Sequence, residues 1–251
     1  MNTIIVAAGK GSRLWPVTQR MPKTLLPYRE GTILSEILSN FGQAGVSSFT
    51  FVIGFKGEMI RDYLRLHRNF GLDISLVENP EWERGNGVSV ARARSALRES
   101  ETAFLSMSDH LVHPDALSAL GHRKGSGNLL LTDTRIDDVF DLDDATKVRQ
   151  EGERIVEIGK DLASYNAIDC GVFRIDAGFM DALDLQIAAG RESISDGVRR
   201  LIATTGFGSV DMPHHSTWID IDTPEAYEAA ILRGDRFPAG RPPAAKLAEP
   251  S

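Results

Sequence analysis

Cysteine is almost absent from this chain, because Cys170 is the single cysteine among 251 residues. An internal disulfide and a cluster of thiolate metal ligands are therefore both excluded. No run of residues approaches the roughly 18 to 20 continuous apolar positions that a membrane-spanning helix needs. The first residues also lead directly into a strand rather than into a signal peptide. We therefore expect a cytoplasmic protein that does not insert into a membrane.

A surplus of positive charge is also missing, since the formal net charge at pH 7 is −7. Nucleic acids and anionic lipids usually bind a basic face, so this charge argues against either as a partner. With 42% hydrophobic and 25% charged residues, the composition is that of a globular protein with a sizeable core. An anionic substrate would have to be met by cations gathered in one site.

The hydrophobic pattern of the first half alternates between short apolar strands and amphipathic helices. The predicted elements, in chain order, are strand 4–6, helix 33–41, strand 49–53, helix 58–66, strand 74–77, helix 88–97 and strand 104–107. This alternation predicts right-handed crossovers and a doubly wound α/β fold, with helices flanking a mostly parallel sheet. Ligands of such sheets bind at the carboxyl ends of the strands.

The pattern changes after residue 133. Residues 147–149 and 154–158 alternate around a glycine, which predicts an inserted β-hairpin and makes the sheet mixed. The further predicted elements are strand 169–175, helices 179–187 and 194–202, strand 218–221, and a last helix with Thr223 as its cap and Pro224 at its first position. We expect one domain over 1–236, with halves 1–133 and 134–236, and a disordered, proline-rich tail over 237–251.

A glycine-containing loop with two cations follows the first strand. Gly9 and Gly11 would let backbone N–H groups approach a phosphate chain, and Arg13 and Lys23 would neutralise its charge. A tight turn with solvated cations is an equally frequent origin of such a loop. The spacing excludes a Walker phosphate loop, and Leu14 stands where a dinucleotide-binding loop needs its third glycine.

Acidic residues at two distant points of the chain are candidate metal ligands. Asp109 follows strand 104–107, so its carboxylate projects from the carboxyl end of that strand. Since Mg²⁺ typically binds one or two carboxylates plus substrate phosphates, a second acid is expected. Asp220 and Asp222 are candidates, and alternation along a strand points both the same way. His110 lacks the spacing of a tetrahedral site and is expected only to support a ligand.

Several longer motifs resemble those of one enzyme family. They are Gly9-x-Gly11-x-Arg13 with Pro16, Thr18, Pro22 and Lys23, then Asn79-Pro80, Gly85-Asn86-Gly87-Val88-Ser89, Met107-Ser108-Asp109-His110 and Tyr165-Asn166-Ala167-Ile168-Asp169. The first string resembles the signature loop of the sugar-1-phosphate nucleotidyltransferases, and the resemblance covers roughly residues 2 to 233. Residues 79–89 look like that family's base-binding segment. The Gly85-Asn86-Gly87 form, together with the last two motifs, is most similar to CTP:inositol-1-phosphate cytidylyltransferases.

The resemblance implies that a nucleoside triphosphate, with CTP favoured, is joined to a phosphate monoester such as inositol 1-phosphate, with Mg²⁺ as cofactor and release of pyrophosphate. Residues 1–133 would bind the nucleotide and 134–236 the acceptor. A homodimer is one expected assembly, and a separate transferase would use the product. The implied site residues are Arg13 and Lys23 as catalytic cations; Ala8, Gly9, Gly11, Ser12, Asn79, Gly85, Asn86 and Gly87 for the nucleotide; Lys160, Tyr165, Asn166 and Asp169 for the acceptor; and Asp109 with Asp220, or Asp222 as backup, for the metal.

Alternatives remain open for both the substrates and the class of protein. One alternative is a nucleotidyltransferase that uses another nucleoside triphosphate, or one that acts on a sugar phosphate or phosphocholine. A phosphocholine site should present aromatic rings to the quaternary ammonium, and residues 140–175 contain as aromatic residues only Phe140, Tyr165 and Phe173. A regulatory subunit that holds nucleotide without turnover would not need both metal-binding acids. A nicotinamide oxidoreductase fits poorly without the third glycine. A last alternative concerns the base-binding segment, in which Asn86-Gly87 would form a turn and nothing more.

Overall fold

The computed structural model of the protein describes residues 1–97, 102–125 and 127–233. Over these residues the chain forms thirteen strands and seven α-helices. The strands are β1 (Asn2–Ala7), β2 (Pro27–Tyr28), β3 (Gly31–Thr32), β4 (Ser48–Ile53), β5 (Asp73–Glu78), β6 (Ala103–Met107), β7 (His110–Val112), β8 (Leu129–Asp133), β9 (Lys147–Glu151), β10 (Arg154–Gly159), β11 (Ala167–Ile175), β12 (Gly208–Asp211) and β13 (Trp218–Asp220). The helices are α1 (Ile33–Gln43), α2 (Gly57–Leu66), α3 (Asn86–Arg92), α4 (Pro114–His122), α5 (Ala177–Ala188), α6 (Ile194–Ile202) and α7 (Pro224–Leu232).

Nine strands form one sheet in the order β5-β4-β1-β6-β11-β8-β12-β10-β9. Within the described residues, seven of these nine strands run in one direction, and β10 and β11 run in the other. The strands β9 and β10 form the predicted hairpin, and β9 also pairs with β11. The prediction of a mostly parallel mixed sheet is confirmed.

Helices cover both faces of the sheet, as the alternation of strands and helices predicts. Along β1, the side chains of Ile5 and Ala7 join an apolar cluster with α1, α2, α4 and α7. The side chains of Ile4 and Val6 join a second cluster with α3, α5 and α6 on the opposite face. Since both faces are buried, the polar groups of the central strands become accessible mainly at the strand ends.

Two helix starts near the cavity have side-chain caps. Thr223 accepts a hydrogen bond from the backbone N–H of Ala226 at 3.1 Å, and Pro224 occupies the first position of α7, as predicted. Ser193 and Asp196 form a reciprocal capping box at the start of α6. These caps fix where the chain enters α7, just after Asp222, and where it enters α6.

Several local differences separate the structure from the sequence prediction. The predicted helix 88–97 is shorter, because α3 ends at Arg92 and a 3-10 turn over Arg94–Ala96 follows. The elements β7, β8, α4 and β12 were not predicted. The strands β7 and β12 contain three and four residues, which is too few to establish a period.

Several predictions are not tested by the structure. The tail over 237–251 lies outside the described residues, and the domain boundaries, the homodimer and the separate transferase stay predictions. Over 1–97, 102–125 and 127–233, no helix combines the length and the apolar character needed to cross a membrane.

Candidate active site

A cavity of about 420 Å³ opens at the carboxyl ends of β1 and β6. This is the edge where α/β sheets bind ligands. The predicted site residues that line it are Gly9, Gly11, Ser12, Arg13, Lys23, Asn86, Asp109, Lys160, Asp169, Asp220 and Asp222. Among the described residues, those predicted for the site but absent from this lining are Ala8, Asn79, Gly85, Gly87, Tyr165 and Asn166. The structure therefore brings together groups from both halves of the chain.

The loop after β1 exposes backbone to the cavity. Gly11 has a φ of +60°, and a Cβ there would lie 3.2 Å from the Cβ of Lys23. The hydroxyl of Thr18 donates to the Gly11 carbonyl at 2.7 Å and closes the loop. A Cβ on Gly9 would meet nothing within 4 Å, so this glycine leaves open space in front of the loop. Ala8 is buried, and its carbonyl accepts from the N–H of Phe55 at 3.0 Å.

Lys23 is buried between two carboxylates from distant parts of the chain. Its Nζ donates to Asp109 Oδ2 at 2.6 Å and also to Asp222 Oδ1. Burial alone would lower the pKa of Lys23, but the two carboxylates raise it above its ordinary value. Burial alone would likewise raise the pKa of Asp109, but Lys23 and the adjacent imidazole lower it. Lys23 is therefore a fixed ammonium at the base of the cavity.

Arg13 and Lys160 meet through an acid that the sequence analysis missed. The guanidinium of Arg13 donates to both Asp144 and Asp222, and Lys160 Nζ donates to Asp144 Oδ1 at 2.7 Å. Asp144 lies in an acid-rich loop between β8 and β9, where its type and position are typical of a solvated loop residue. Asp144 thus links Arg13, which is predicted to neutralise the phosphate chain, to Lys160, which is predicted to bind the acceptor.

Asp109, His110 and Asp220 place one ligand atom each within 4.8 Å of one another. The strands β7 and β13 pair so that Asp220 stands opposite His110. Asp220 Oδ1 is buried and lacks a hydrogen-bond partner within the described part of the chain. Burial raises the pKa of Asp220 to about 7, and Asp109 and Asp222 act in the same direction, whereas His110 and Lys23 act against it. A divalent cation fits this group, because it would compensate the half-buried carboxylates of Asp109 and Asp220.

His110 is held by packing on both sides of its ring. Its Nδ1 lies 2.7 Å from Asp109 Oδ1 and 3.7 Å from an oxygen of Asp220. The ring stacks on Trp218 at a centroid distance of 5.9 Å, and Trp218 Nε1 donates to Asp133 at 3.0 Å. Burial alone would lower the pKa of His110, but the neighbouring carboxylates raise it to about 9. That His110 supports a metal ligand stays a prediction, and this geometry favours it.

Gly171 makes room for the His110 ring. Its φ is +72°, and a Cβ there would lie 2.3 Å from His110 Cδ2. We expect Gly171→Ala to lower the free energy of unfolding by about 2 to 4 kcal/mol, because backbone strain and overpacking add. Gly152→Ala is the matched control, since its φ is +58° but a Cβ there would meet nothing within 4 Å. Urea unfolding should give a cost of about 1 kcal/mol for the control. Equal costs for both variants would contradict the close contact with His110.

Asn79 lies behind the cavity wall, with a relative exposure of 1%. Its Oδ1 accepts from the N–H of Glu81 at 3.0 Å, and its Nδ2 donates to Ser89 Oγ at 2.9 Å. Both ends of the amide therefore already have partners. Asn86 does line the cavity, and its Oδ1 accepts from the N–H of Ile194 at 2.9 Å.

Gly85 and Gly87 are required by a contact within the protein. A Cβ on Gly85 would lie 2.4 Å from the carbonyl oxygen of Glu192, and one on Gly87 would lie 2.6 Å from it. The N–H of Gly87 donates to that same carbonyl at 2.8 Å. The two glycines thus let α3 pack against the segment before α6. The sequence does not predict the contact of these glycines with Glu192, because it depends on packing between distant segments.

The predicted acceptor residues separate into two groups. Asp169 and Lys160 line the cavity, whereas Tyr165 and Asn166 are not among the described residues that line it. The side chain of Asn166 accepts from the N–H of Gln150 at 2.8 Å and donates to its carbonyl at 2.9 Å. This amide ties the start of β11 to β9. The predicted contact of Tyr165 and Asn166 with the acceptor stays a prediction without a place in the cavity wall.

Burial raises the pKa of Asp169 to about 6, although its Oδ1 accepts from the N–H of Gly171 at 2.7 Å. A carboxyl whose pKa is raised on folding contributes stability at low pH, and this contribution is lost as the pH rises through about 6. Asp169→Asn keeps an acceptor for Gly171 but cannot ionise. We therefore expect the variant to gain stability over the wild type between pH 4 and 7.5, by about 3 kcal/mol at most. Thermal unfolding at both pH values measures it, and a pH-independent difference would contradict the assignment.

The fold and the site together define a class of protein. A nine-stranded mixed sheet carries cations and acids at the carboxyl ends of its strands, around a cavity that joins both halves of the chain. The chain belongs to the nucleotidyl transferase family, whose sequence profile matches residues 2–233.

Two individual relatives and one solved structure show which nucleotidyl transferases this chain is similar to. The chain is 31% identical over 227 residues to a bifunctional IPC transferase and DIPP synthase of Rubrobacter xylanophilus, and 30% identical over 230 residues to a protein of the same name from Aquifex aeolicus. The matches cover 90% and 91% of this chain but 50% of each relative, so the chain spans about half their length. Among solved structures, it is similar to the inositol-1-phosphate CTP transferase from T. maritima, with a TM-score of 0.82, 25% identity, and coverage of 96% of this chain and 97% of that one.

Proposed function

We propose that the protein is a Mg²⁺-dependent cytidylyltransferase that joins CTP to inositol 1-phosphate and releases pyrophosphate. The observation that carries this proposal is the meeting of Arg13, Lys23, Asp109 and Asp220 at one cavity, although as many as 207 residues separate them along the chain. Binding alone does not require two half-buried acids beside these cations. The choice of CTP and inositol 1-phosphate is supported by the similarity to the inositol-1-phosphate CTP transferase from T. maritima.

The proposed reaction brings two anions together, so its main obstacle is their mutual repulsion. An oxygen of the phosphate monoester forms a bond to the α-phosphorus of CTP, and the bond from that phosphorus to the bridging oxygen of the β-phosphate breaks. The leaving group is pyrophosphate, and no covalent enzyme intermediate is needed. Alignment and charge neutralisation by fixed groups are then the main sources of catalysis.

The cations of the cavity have assigned parts in this scheme. Lys23 is held at the base of the cavity and would stabilise the negative charge at the α-phosphate. Arg13 has a half-exposed side chain on the loop after β1 and would bind the triphosphate through its planar fork. Both now contact Asp222, so phosphate oxygens would replace that carboxylate as their partner. Backbone N–H groups around Gly9 and Gly11 would complete the phosphate cradle.

Asp109 and Asp220 would hold the metal ion. The fit rests on the buried Oδ1 of Asp220, which accepts no hydrogen bond within the described residues and lies 3.7 Å from His110 Nδ1, and on the short distances within this group. When bound, Mg²⁺ would supply further positive charge that offsets the repulsion of the two anionic substrates. Asp222 is less suited to be a ligand, because it does not belong to the group of ligand atoms that lie within 4.8 Å of one another.

Pyrophosphate release over four nucleoside triphosphates and several phosphate monoesters tests the proposal. We expect release with CTP and inositol 1-phosphate, and little with phosphocholine. Release with a different pair would replace these substrates and keep the reaction class. Tight nucleotide binding without release from any pair would instead support a regulatory nucleotide-binding subunit.

Lys160 provides a separate test of the acceptor side. Its ammonium contacts Asp144 and lines the cavity, with a side chain that is 53% exposed. We expect Lys160→Met to raise the KM for inositol 1-phosphate about tenfold, because a charged hydrogen bond to phosphate is lost. The KM for CTP should stay close to that of the wild type. Lys124→Met is the control, since Lys124 is a basic residue that is not part of the cavity wall. A rise confined to the KM for CTP would contradict this assignment.

A further inference from the structure

Asp144 bridges two cations that come from distant parts of the chain. Its Oδ2 accepts from Nη1 of Arg13, which lies 131 positions earlier, and its Oδ1 accepts from Lys160 Nζ at 2.7 Å. Each oxygen of the carboxylate therefore serves one cation. Burial alone would raise the pKa of Asp144, but the hydrogen bonds from Lys160 and Arg13 lower it. The bridging group is thus ionised at neutral pH.

The backbone around Asp144 is tied to its own loop and to the central sheet. The N–H groups of Asp144 and Ala145 both donate to the carbonyl of Asp141 at 3.2 Å, which closes a turn just before β9. The carbonyl of Thr146 accepts from the N–H of Asp169 in β11 at 3.0 Å. Asp144 also lines the cavity, so its carboxylate is held at the cavity wall by an anchored segment.

Arg13 and Lys160 are long side chains that are about half exposed, at 48% and 53%. Within the described residues, the ion-pair partner of Lys160 is Asp144, and the partners of Arg13 are Asp144 and Asp222. A long exposed side chain loses conformational entropy when it binds a ligand, and two neighbouring cations repel each other. A carboxylate between them reduces both costs, because it orients each side chain in advance and offsets their repulsion.

Both cations keep donors for a substrate while Asp144 holds them. Arg13 uses Nη1 for Asp144 and Nη2 for Asp222, so phosphate oxygens that replace Asp222 leave the contact with Asp144 in place. Lys160 donates one of its three ammonium hydrogens to Asp144, and two remain for an acceptor phosphate. A nucleophile and the phosphorus it attacks must come within about 3 to 3.5 Å of each other. The cations that bind the two substrates must therefore lie close together, as Asp144 holds them.

We propose that Asp144 is a positioning residue for both substrates, because its two carboxylate oxygens hold Arg13 and Lys160 in the orientations in which they bind the triphosphate and the acceptor phosphate. The inference deepens the proposed function, on which it rests for the identity of the two anions. Asp144 acts through the two cations and contacts neither substrate.

Asp144→Asn tests the bridge, because the variant leaves one neutral oxygen for two cations. We expect the KM for CTP and the KM for inositol 1-phosphate each to rise about fivefold, since both side chains must then be ordered by the substrates. Asp144→Glu keeps two charged oxygens and should restore part of both losses. Asp143→Asn is the matched control, because Asp143 is an exposed acid of the same loop outside the described cavity wall. Both of its KM values should equal those of the wild type.

A double variant separates positioning from a general structural effect. Lys160→Met already removes the cation that Asp144 holds on the acceptor side. Adding Asp144→Asn should therefore raise the KM for inositol 1-phosphate no further, while the KM for CTP rises about fivefold through Arg13. If Asp144 only stabilised its loop, the two changes would multiply in the KM for inositol 1-phosphate.

Three kinetic outcomes would overturn the inference: a fall in either KM of Asp144→Asn, a rise in only one of them, or effects that multiply in the double variant. A fall would show that the carboxylate competes with substrate phosphates instead of positioning their partners. If Asp144→Asn does not fold, Asp144→Ser, which also lacks the charge, should give the same two increases.

Calorimetric titration with CTP and with inositol 1-phosphate keeps this inference separate from the proposed function. If the wild type releases no pyrophosphate from any substrate pair, the proposed function fails. Weaker binding of both ligands by Asp144→Asn, with wild-type affinities in Asp143→Asn, would still support the positioning role. Unchanged affinities in Asp144→Asn, or a wild type that binds neither ligand, would refute it.

Discussion

Lys23→Ala is expected to lower kcat by about 100-fold or more, by analogy with the loss of a single charge-stabilising donor from an active site. Among the lysines and arginines of the described cavity wall, Lys23 has the most buried side chain, at 10% exposure, whereas those of Arg13 and Lys160 are about half exposed. Its ammonium is already desolvated and oriented, so it loses little on binding the transition state. Because the ammonium is buried, its electrostatic interaction with a phosphate group is stronger than that of an exposed lysine.

Steady-state kinetics with CTP and inositol 1-phosphate, together with nucleotide binding, measures this effect. Lys10→Ala is the control, because Lys10 lies in the same loop with its ammonium 4.9 Å from the centre of the Trp15 ring. It should retain nearly all activity. Turnover close to that of the wild type in Lys23→Ala, with unchanged nucleotide affinity, would refute the role of Lys23. A thermal unfolding curve shows whether the variant has kept its fold.

Asp109→Ala is expected to abolish metal-dependent transfer. The change removes one proposed metal ligand and also one of the two carboxylates that hold Lys23. A second effect follows at His110, whose Nδ1 loses its 2.7 Å contact with Asp109. The metal, the ammonium and the imidazole would therefore all lose a partner. We expect no detectable pyrophosphate release at any Mg²⁺ concentration.

A Mg²⁺ titration of activity, with folding checked by circular dichroism, measures this outcome. Asp115→Ala is the control, because Asp115 is an exposed acid that pairs with His215 at 2.8 Å outside the cavity wall. Its Mg²⁺ dependence should match that of the wild type. An Asp109→Ala enzyme with an unaltered Mg²⁺ dependence would show that the ion binds elsewhere.

The edge at which the site lies could be predicted from the chain alone. Two short apolar runs, each followed at once by chemically active residues, indicate two strands whose carboxyl ends carry function. In a doubly wound sheet such ends meet at one edge. The structure shows β1 and β6 as neighbours, which brings the loop of Gly9 and Arg13 close to Asp109.

The choice between Asp220 and Asp222 could not be made from strand alternation, because both carboxylates reach the same cavity. The structure distinguishes them by their partners. Asp220 lies opposite His110 with an oxygen that accepts no hydrogen bond within the described residues, whereas Asp222 contacts Lys23 and Arg13. Partners of this kind depend on where the separate β7–β13 pair lies, and a three-residue strand such as β7 is too short to establish a period.

The direction of the Asn79 side chain, on the nucleotide side of the cavity, also could not be predicted from the sequence. Its motif resembles a base-binding segment, and the motif does lie next to the cavity. Only the structure shows that its amide hydrogen-bonds to Glu81 and Ser89, and that Asn86 and Ser89, rather than Asn79, line the cavity. A side chain's direction depends on all its hydrogen-bond partners, and these come from outside the motif.

By itself, the sequence determined the alternation of strands and helices, the glycine loop, the family and the chemical types available at one edge of the sheet. These features are local, because they follow from hydrophobic period, backbone freedom and charge within short segments. Tertiary structure alone decided which groups meet: Asp144 with Arg13 and Lys160, Glu192 with the two glycines, and Gly171 with His110. Such pairs join segments far apart in the chain, so only the packing of the whole fold brings them into contact.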